Sequence, residues 1–225
     1  MVVSKLTAKR ILFVVNAPEF FLSHRLPIAL AAREEGYKVH VATADGDAVR
    51  EIRRLGLTHH TVAIARSGQN PFAELGSIIC LYRLFREIKP DLVHLITIKP
   101  VLYGGIAARL AGVSAVVAAV SGLGTVFVAQ SGAARARRAL VSWLYRMAFS
   151  QRRLAVIFQN PDDRDGLLAI GALEKDQARM IRGSGVNLFN YSFVPEPEGT
   201  PVVVMAARLL RDKGVYEFVE AARLL

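Results

Sequence analysis

The residues best placed to do chemistry are two cations, Arg208 and Lys213, in the segment ARLLRDKG. Arg208 closes an apolar run, and Lys213 precedes Gly214 at the predicted start of a helix. Two cations beside a helix N-terminus pull on a diphosphate together with the helix dipole, so the pair reads as a diphosphate clamp. The competing reading is solvated loop charge. Lys99, in TIKP, follows an apolar run and precedes Pro100 and Gly104-Gly105. It either presents charge to a cleft or is a solvated loop lysine. His24, beside Arg25, is either a surface histidine or a contact for an anionic acceptor. Ser121-Gly122-Leu123-Gly124 is either a tight turn or a loop whose backbone approaches a ligand closely. Asn16 and Asn160 also follow apolar runs.

Other chemistries find no support. His94 sits alone in DLVHLI and reads as a core residue. His59 and His60 read as solvent-facing, and His40 alternates with strand residues. No histidine falls at HExxH or zinc-site spacing, and Cys80 is the single cysteine. Neither a metal, a cofactor nor a disulfide framework is expected. The first apolar run is followed by NAPEFF instead of GxGxxG, and GxxxxGK[ST] occurs nowhere. Dinucleotide and P-loop sites are therefore not expected.

These residues need elements to hold them. Apolar, β-branched runs at Ile11–Val15, Val39–Thr43, His60–Ala65, Leu92–Ile96, Ala115–Val120, Leu154–Phe158 and Ala178–Ile181 read as strands. Helical spacing fills the gaps between them: 20–35, 47–55, 71–88, 100–112, 133–151 and a helix that opens at Pro161. Strand-helix alternation with strands apolar on both faces predicts an α/β protein, a parallel sheet covered by helices. Ligands in such sheets bind at the carboxyl ends of the strands. That edge collects Asn16, Lys99, Ser121, Gly122, Gly124 and Asn160.

The chain carries 29 basic and 19 acidic side chains, and residues 92–161 hold eight basic and no acidic ones. On the predicted helix 133–151, Arg135, Arg138 and Arg146, extended by Arg153, fall within an arc of about 80°. Leu140, Val141, Leu144, Met147 and Ala148 lie opposite, with Trp143 and Tyr145 at the boundary. This stripe suits an anionic membrane surface, or it is a solvated helix face. No base-reading motif supports nucleic-acid binding. No stretch is apolar enough to span a membrane, and the start is not a convincing signal peptide, so a cytoplasmic location is expected.

The segments GYKVHVAT, KPDLVHLITIKP, SGLG, VIFQNPDD, GSGVNLFNYSF and AARLLRDKGVYEFVEAARLL, in this order, resemble the family 4 glycosyltransferases. That family has the GT-B fold of two Rossmann-like domains. The resemblance runs over residues 11–225 and is most specific in the R-x4-K segment. It points to the branch that builds capsular, O-antigen or lipid-linked oligosaccharides. It implies a nucleotide-sugar donor, retention of anomeric configuration and no essential metal. It also implies that Arg208 and Lys213 neutralise the donor diphosphate. Many relatives carry T-x-H-G after the fifth strand. Here Ser121 stands in place of that histidine, and of the H-x-H at the fourth strand only His94 remains.

The resulting organisation is an acceptor-side Rossmann-like domain over 1–188 and a linker over 189–201. The first strand and helix of a donor-binding domain follow over 202–225, without the acidic pair of the family. Expected partners are a nucleotide sugar and a saccharide or polyprenyl-diphosphate-linked acceptor. The anticipated location extends to the inner face of the cell membrane. The alternative is a non-catalytic binding subunit that needs a separate donor-domain partner. A sugar isomerase or epimerase of the same shape is a third reading, without the histidine and carboxylate set it requires.

Overall fold

A computed structural model describes residues 8–64, 71–123, 132–183, 185–186, 188–207 and 209–224. Seven strands form one parallel sheet. They are β1 (Arg10–Val15), β2 (Lys38–Thr43), β3 (Thr58–Thr61), β4 (Leu92–Ile96), β5 (Ala115–Val120), β6 (Leu154–Phe158) and β7 (Ala178–Met180). Their order is β3-β2-β1-β4-β5-β6-β7. The chain runs outward from β1 to β3, then returns to place β4 on the other side of β1. The switch point therefore lies between β1 and β4, where Phe13 pairs with His94.

Alternation along each strand sends side chains to two cores. On one side Ile11, Phe13 and Val15 pack beneath α1 (Pro18–His24), α2 (Leu26–Glu34) and α3 (Val49–Arg54). On the other, Leu12 and Val14 pack with α4 (Pro71–Ile88), α5 (Gly105–Ala111), α6 (Gly132–Phe149) and α7 (Pro161–Ala169). The expected Rossmann-like α/β class, with helices on both faces of a parallel sheet, is what the structure has. Gly104 and Gly105 allow the second layer to close. A Cβ on Gly104 would meet Leu95 Cδ2 at 2.6 Å, and one on Gly105 would meet Ala148 Cβ at 2.7 Å.

Several boundaries differ from expectation for physical reasons. The single helix expected over 20–35 is two helices. Pro27 has no N–H to donate to Ser23, so the ladder breaks and Arg25 becomes both the last cap of α1 and the first cap of α2. The helix after Pro100 begins as a π-turn, Pro100–Gly104. The third strand lies earlier than His60–Ala65. Arg153 is not on α6 but in the turn before β6. The arc on α6 is also rotated: Tyr145 is 1% exposed, whereas Leu140 and Trp143 are exposed.

Residues up to Ser184 form one compact unit and Gly185–Leu225 another. In the second, Val202–Ala206 pairs with no strand among the described residues, contrary to the strand expected there. A strand needs a neighbour to receive its backbone hydrogen bonds. Arg211–Lys213 forms a 3-10 turn, Gly214 is left-handed with φ 77°, and α8 (Val215–Leu224) follows. Lys213 thus precedes the helix rather than beginning it.

Candidate functional site at the carboxyl edge

The break at Pro27 turns Arg25 toward the sheet. Arg25 is buried at 6% exposure, and its Nη1 donates to the His24 carbonyl at 2.9 Å. Desolvation lowers its pKa from the ordinary value. Together with Ile28 of α2 it covers a cavity of about 110 Å³. Below lie His94 of β4 and Ala119 and Val120 of β5; Ile157, Gln159, Ile181 and Gly183 close the far side, with Ser121 at the rim. All of these residues belong to the first compact unit.

His94 is the polar group on the floor. Its ring meets Phe13 edge-on, with centroids 5.4 Å apart. Its Nδ1 lies 3.2 Å from the Val117 carbonyl oxygen. That oxygen can only accept, so Nδ1 carries the proton. Burial, reinforced by the Arg25 charge, pushes the imidazole down to about 4. His94 is therefore neutral near pH 7, and Nε2 keeps its lone pair. The cavity offers a cation, a neutral imidazole and apolar walls.

The backbone beside it is unusual. Thr97, just past β4, has φ 74°, a costly conformation for a β-branched residue. Its Oγ1 is buried without a hydrogen-bond partner among the described residues. The π-turn follows directly, anchored by the Val101 N–H donating to the Thr97 carbonyl at 3.0 Å. Strained backbone and π-turns concentrate at functional sites.

The expected site residues separate into groups. Ser121 lines the cavity and is exposed; Gly122 follows with φ 140°, which favours glycine. Asn16 directly follows β1 beside the switch point and is partly exposed. His24 turns outward, stacks on Phe20 with centroids 4.2 Å apart and shares a hydrogen bond with Ser23 Oγ. Its neighbour Arg25 is the inward-facing residue. Lys99 does not present a lone charge to a cleft: its Nζ donates to Glu74 Oε1 of α4 at 2.5 Å, both side chains being under 20% exposed. Burial and Glu74 also raise the Tyr103 phenol above its ordinary range. Asn160 caps α7, accepting from the Asp163 N–H at 2.8 Å and donating Nδ2–H to Asp163 Oδ2 at 2.7 Å. Asp163 also accepts from the Leu123 N–H at 3.2 Å, which ties the turn after β5 to the start of α7. Gly124 and Arg208 lie outside the described residues, as does the side chain of Arg135. Lys213 is exposed. Arg146 Nε donates to the Ile170 carbonyl at 2.8 Å, and Arg138 is exposed. Among the described residues no group of three or more His, Cys, Asp or Glu side chains is placed to hold a metal.

Arg25 and Asp163 were not singled out by sequence reasoning. Pro27, two residues after Arg25, carried the signal of a helix break. The Asn160-x-x-Asp163 spacing carried that of a helix cap.

A family model described as glycosyl transferase 4-like matches residues 10–160, two thirds of the chain. The chain belongs to this glycosyl transferase 4-like family. The match covers β1 through Asn160, and so every residue of the cavity except Ile181 and Gly183. One curated relative is the N,N'-diacetylbacillosaminyl-diphospho-undecaprenol alpha-1,3-N-acetylgalactosaminyltransferase of Campylobacter jejuni. It is 27% identical over 229 residues, which cover 96% of this chain and 60% of the relative. The chain thus spans about 60% of that relative's length. The fold is shared with a glycosyltransferase from Rickettsia africae, at a TM-score of 0.66 and 18% identity over 96% of this chain and 57% of that one. It is also shared with the Anabaena protein HepE, solved in complex with UDP and glucose. There the TM-score is 0.54 and the identity 16%, over 82% of this chain and 47% of the other.

Proposed function

We propose that this chain is the acceptor-side part of a retaining glycosyltransferase. The enzyme moves a sugar from a nucleotide-sugar donor to a saccharide or polyprenyl-diphosphate-linked acceptor during cell-surface polysaccharide synthesis, including capsule or O-antigen. The observation that carries the reading is the cavity at the carboxyl edge, lined by Arg25 and His94. It lies where open parallel sheets bind ligands, in a chain whose curated relative is named for a diphospho-undecaprenol acceptor. Arg208 and Lys213 would neutralise the leaving nucleoside diphosphate by fixed positive charge. No essential metal takes part in this reading.

The lipid-linked acceptor brings the protein to the inner face of the cell membrane. Phe72, Leu75, Ile79 and Tyr82 are exposed along α4, and Leu140 and Trp143 are exposed on α6, which covers the same side of the sheet. Arg83, Arg86, Arg138 and Arg146 are exposed on the same two helices. Apolar anchors among cations suit an anionic lipid surface, with more exposed apolar side chains than the basic stripe with aromatic edges expected from sequence. No helix among the described residues is long and apolar enough to cross a membrane.

The test incubates the complete protein with a panel of UDP- and other nucleotide-sugars and a short-chain polyprenyl-diphosphate-linked saccharide, with and without EDTA. NMR of the product reads its anomeric configuration. A retained linkage formed with EDTA present is the expected result, and no transfer to any lipid-linked acceptor removes the reading. Sedimentation with phosphatidylglycerol vesicles, against phosphatidylcholine ones, tests the membrane part.

A further inference from the structure

We propose that the amino edge of the sheet, opposite the carboxyl-edge cavity, carries a binding site for a phosphate-bearing anion. The site lies outside the glycosyl-transfer reading and does not rest on it.

Arg109 lies in the last turn of α5, and Arg152 and Arg153 lie in the turn before β6. All three line one groove of about 1000 Å³, with Ser114, Ser150 and Gln151. An adjoining hollow of about 320 Å³ adds Arg86 and Lys89 from the end of α4, and the two share Gly112, Val113 and Ser114. These residues lie where helices end and the next strands begin, which puts the groove at the amino edge. The volume admits many ligands, so charge has to select among them.

The two linings hold five cations and one carboxylate, Asp91, whose Oδ2 accepts from the Arg10 N–H at 2.8 Å. Glu87, next to Arg86 in the chain, lines a different groove beside Thr61 of β3. The ends of α4, α5 and α6 supply about half a negative charge each, which leaves a surplus of roughly two positive charges or more. Arg152 and Arg153 are exposed and make neither an ion pair nor a side-chain hydrogen bond among the described residues.

The groove is also held in shape. Arg109 Nη1 donates to Ser150 Oγ, which in turn donates to the Met147 carbonyl at 2.9 Å. One N–H thus fixes the guanidinium, and the rest of its fork remains for a ligand. The Val116 N–H donates to the Arg153 carbonyl at 2.9 Å, tying that turn to β5. Lys89 has φ 50°, a left-handed conformation. The left-handed turns after α2, α3, α5 and α7 are made by Gly36, Gly56, Gly112 and Gly171. A lysine is the costlier residue for such a turn, and here it adds a cation to the groove.

A guanidinium fork takes carboxylate and phosphate alike. Phosphate concentrates up to two charges and several acceptor oxygens in one group, which suits arginines that converge beside the exposed Ser114 hydroxyl. An acidic peptide spreads single charges along a chain. Single-stranded nucleic acid stacks its bases on accessible aromatic rings, and the one ring in these linings, Phe85, is buried.

Titration calorimetry of the full chain at low ionic strength tests the proposal, with inorganic pyrophosphate as probe and citrate and a polyglutamate peptide as carboxylate controls. The starting protein is Arg208→Gln/Lys213→Gln, which removes the other cation pair expected to hold a diphosphate. Saturable pyrophosphate binding is expected in it. Adding Arg152→Gln/Arg153→Gln should weaken that binding at least about tenfold. Adding Arg50→Gln/Arg53→Gln instead removes the same charge from exposed sites on α3 and should change it less than about twofold. Lys89→Gly should weaken it about threefold while Tm stays equal or rises, because glycine accepts the left-handed turn. No saturable binding, equal losses in the two arginine pairs, or a carboxylate control bound as tightly as pyrophosphate would each overturn the proposal.

A second arm separates the sources of the phosphate. Sedimentation with phosphatidic acid vesicles compares the same two arginine pairs. A loss of about tenfold or more confined to Arg152→Gln/Arg153→Gln assigns the site to a lipid headgroup. Vesicle binding that is equal in both pairs, with pyrophosphate binding lost only in the first, assigns it to a soluble phosphate compound. Either assignment supports the proposal.

Discussion

His94 and His40 make an informative pair. Both are buried in parallel strands, His94 in the central β4 and His40 in β2 next to the edge, and burial pushes both down to about 4. Their neighbours differ. His40 Nδ1 shares a hydrogen bond with His60 Nε2 at 3.0 Å, and the two rings stack 5.2 Å apart on the α4 side of the sheet. Next to them His59 Nε2 donates to Thr43 Oγ1 at 2.9 Å, because that hydroxyl gives its own proton to the Ala44 carbonyl. These bonds join β2 to the edge strand β3, while His40 Nε2 and His59 Nδ1 are buried without a hydrogen-bond partner among the described residues. His94 instead spends one nitrogen on the backbone and stands on the floor of a cavity beside a buried arginine. A depressed histidine pKa therefore marks burial in both places, and only the surrounding space distinguishes a structural histidine from a candidate binding one.

The largest test of that contrast is His94→Ala. It removes the edge contact with Phe13 and enlarges an existing cavity, so urea unfolding should show a loss of about 2–4 kcal/mol. His40→Ala, beside a short edge strand that can settle inward, should lose about 1–2 kcal/mol. Equal losses would break the comparison. Gly105→Ala attacks the opposite layer: its new Cβ would lie 2.7 Å from Ala148 Cβ and 2.8 Å from the Ala148 carbonyl oxygen. Thermal unfolding should show a loss of about 1–3 kcal/mol, with Ala148→Gly recovering part of it. Lys99→Met strands Glu74 in a half-buried setting and should lose about 1–2 kcal/mol by the same assay.

Acid sharpens the comparison in a graded way. Both folded histidines stay neutral down to about pH 4, while the unfolded ones take up a proton near 6.5. Between those values the unfolded state holds more protons, so stability is full above about pH 6.5 and falls as the pH drops toward 4. Urea midpoints across that window should fall with pH, and less steeply in His40→Gln. A slope unchanged in that variant would show that His40 is not one of the titrating groups. Ser121→Ala, at an exposed rim position, should stay within about 0.5 kcal/mol of the parent in chemical unfolding.

The core of the fold was legible because its central strands are almost wholly apolar. Leu92–Ile96, Ala115–Val120 and Leu154–Phe158 fall where the sequence predicts them, as does the helix 71–88 between its two prolines. The site was less so. A continuous apolar rhythm from Phe20 to Glu35 hid the break at Pro27, and with it the inward turn of Arg25. The α6 arc misled for a related reason: apolar residues lie on more than one side, so periodicity alone could not choose Tyr145 over Leu140 for the interior. His94 was read as core, which it is; that it also borders open space is a property of the layer above it. The partners of Lys99 and Asn160 come from Glu74 and Asp163, and the Lys99–Glu74 pairing joins two separate elements that no local motif announces.

The place of β1 between β2 and β4 also has a consequence in time. The Arg10 N–H donates to Asp91 Oδ2, a bond between residues 81 positions apart in the chain. At roughly 5–20 residues per second of synthesis, β4 leaves the ribosome about 4–16 s after β1. During that interval β1 has β2 on one flank and an open edge on the other, with His94 and the cavity floor not yet made. A nascent chain of this topology needs its open edge shielded for seconds. Slower translation before Leu92 would lengthen the exposure and favour aggregation.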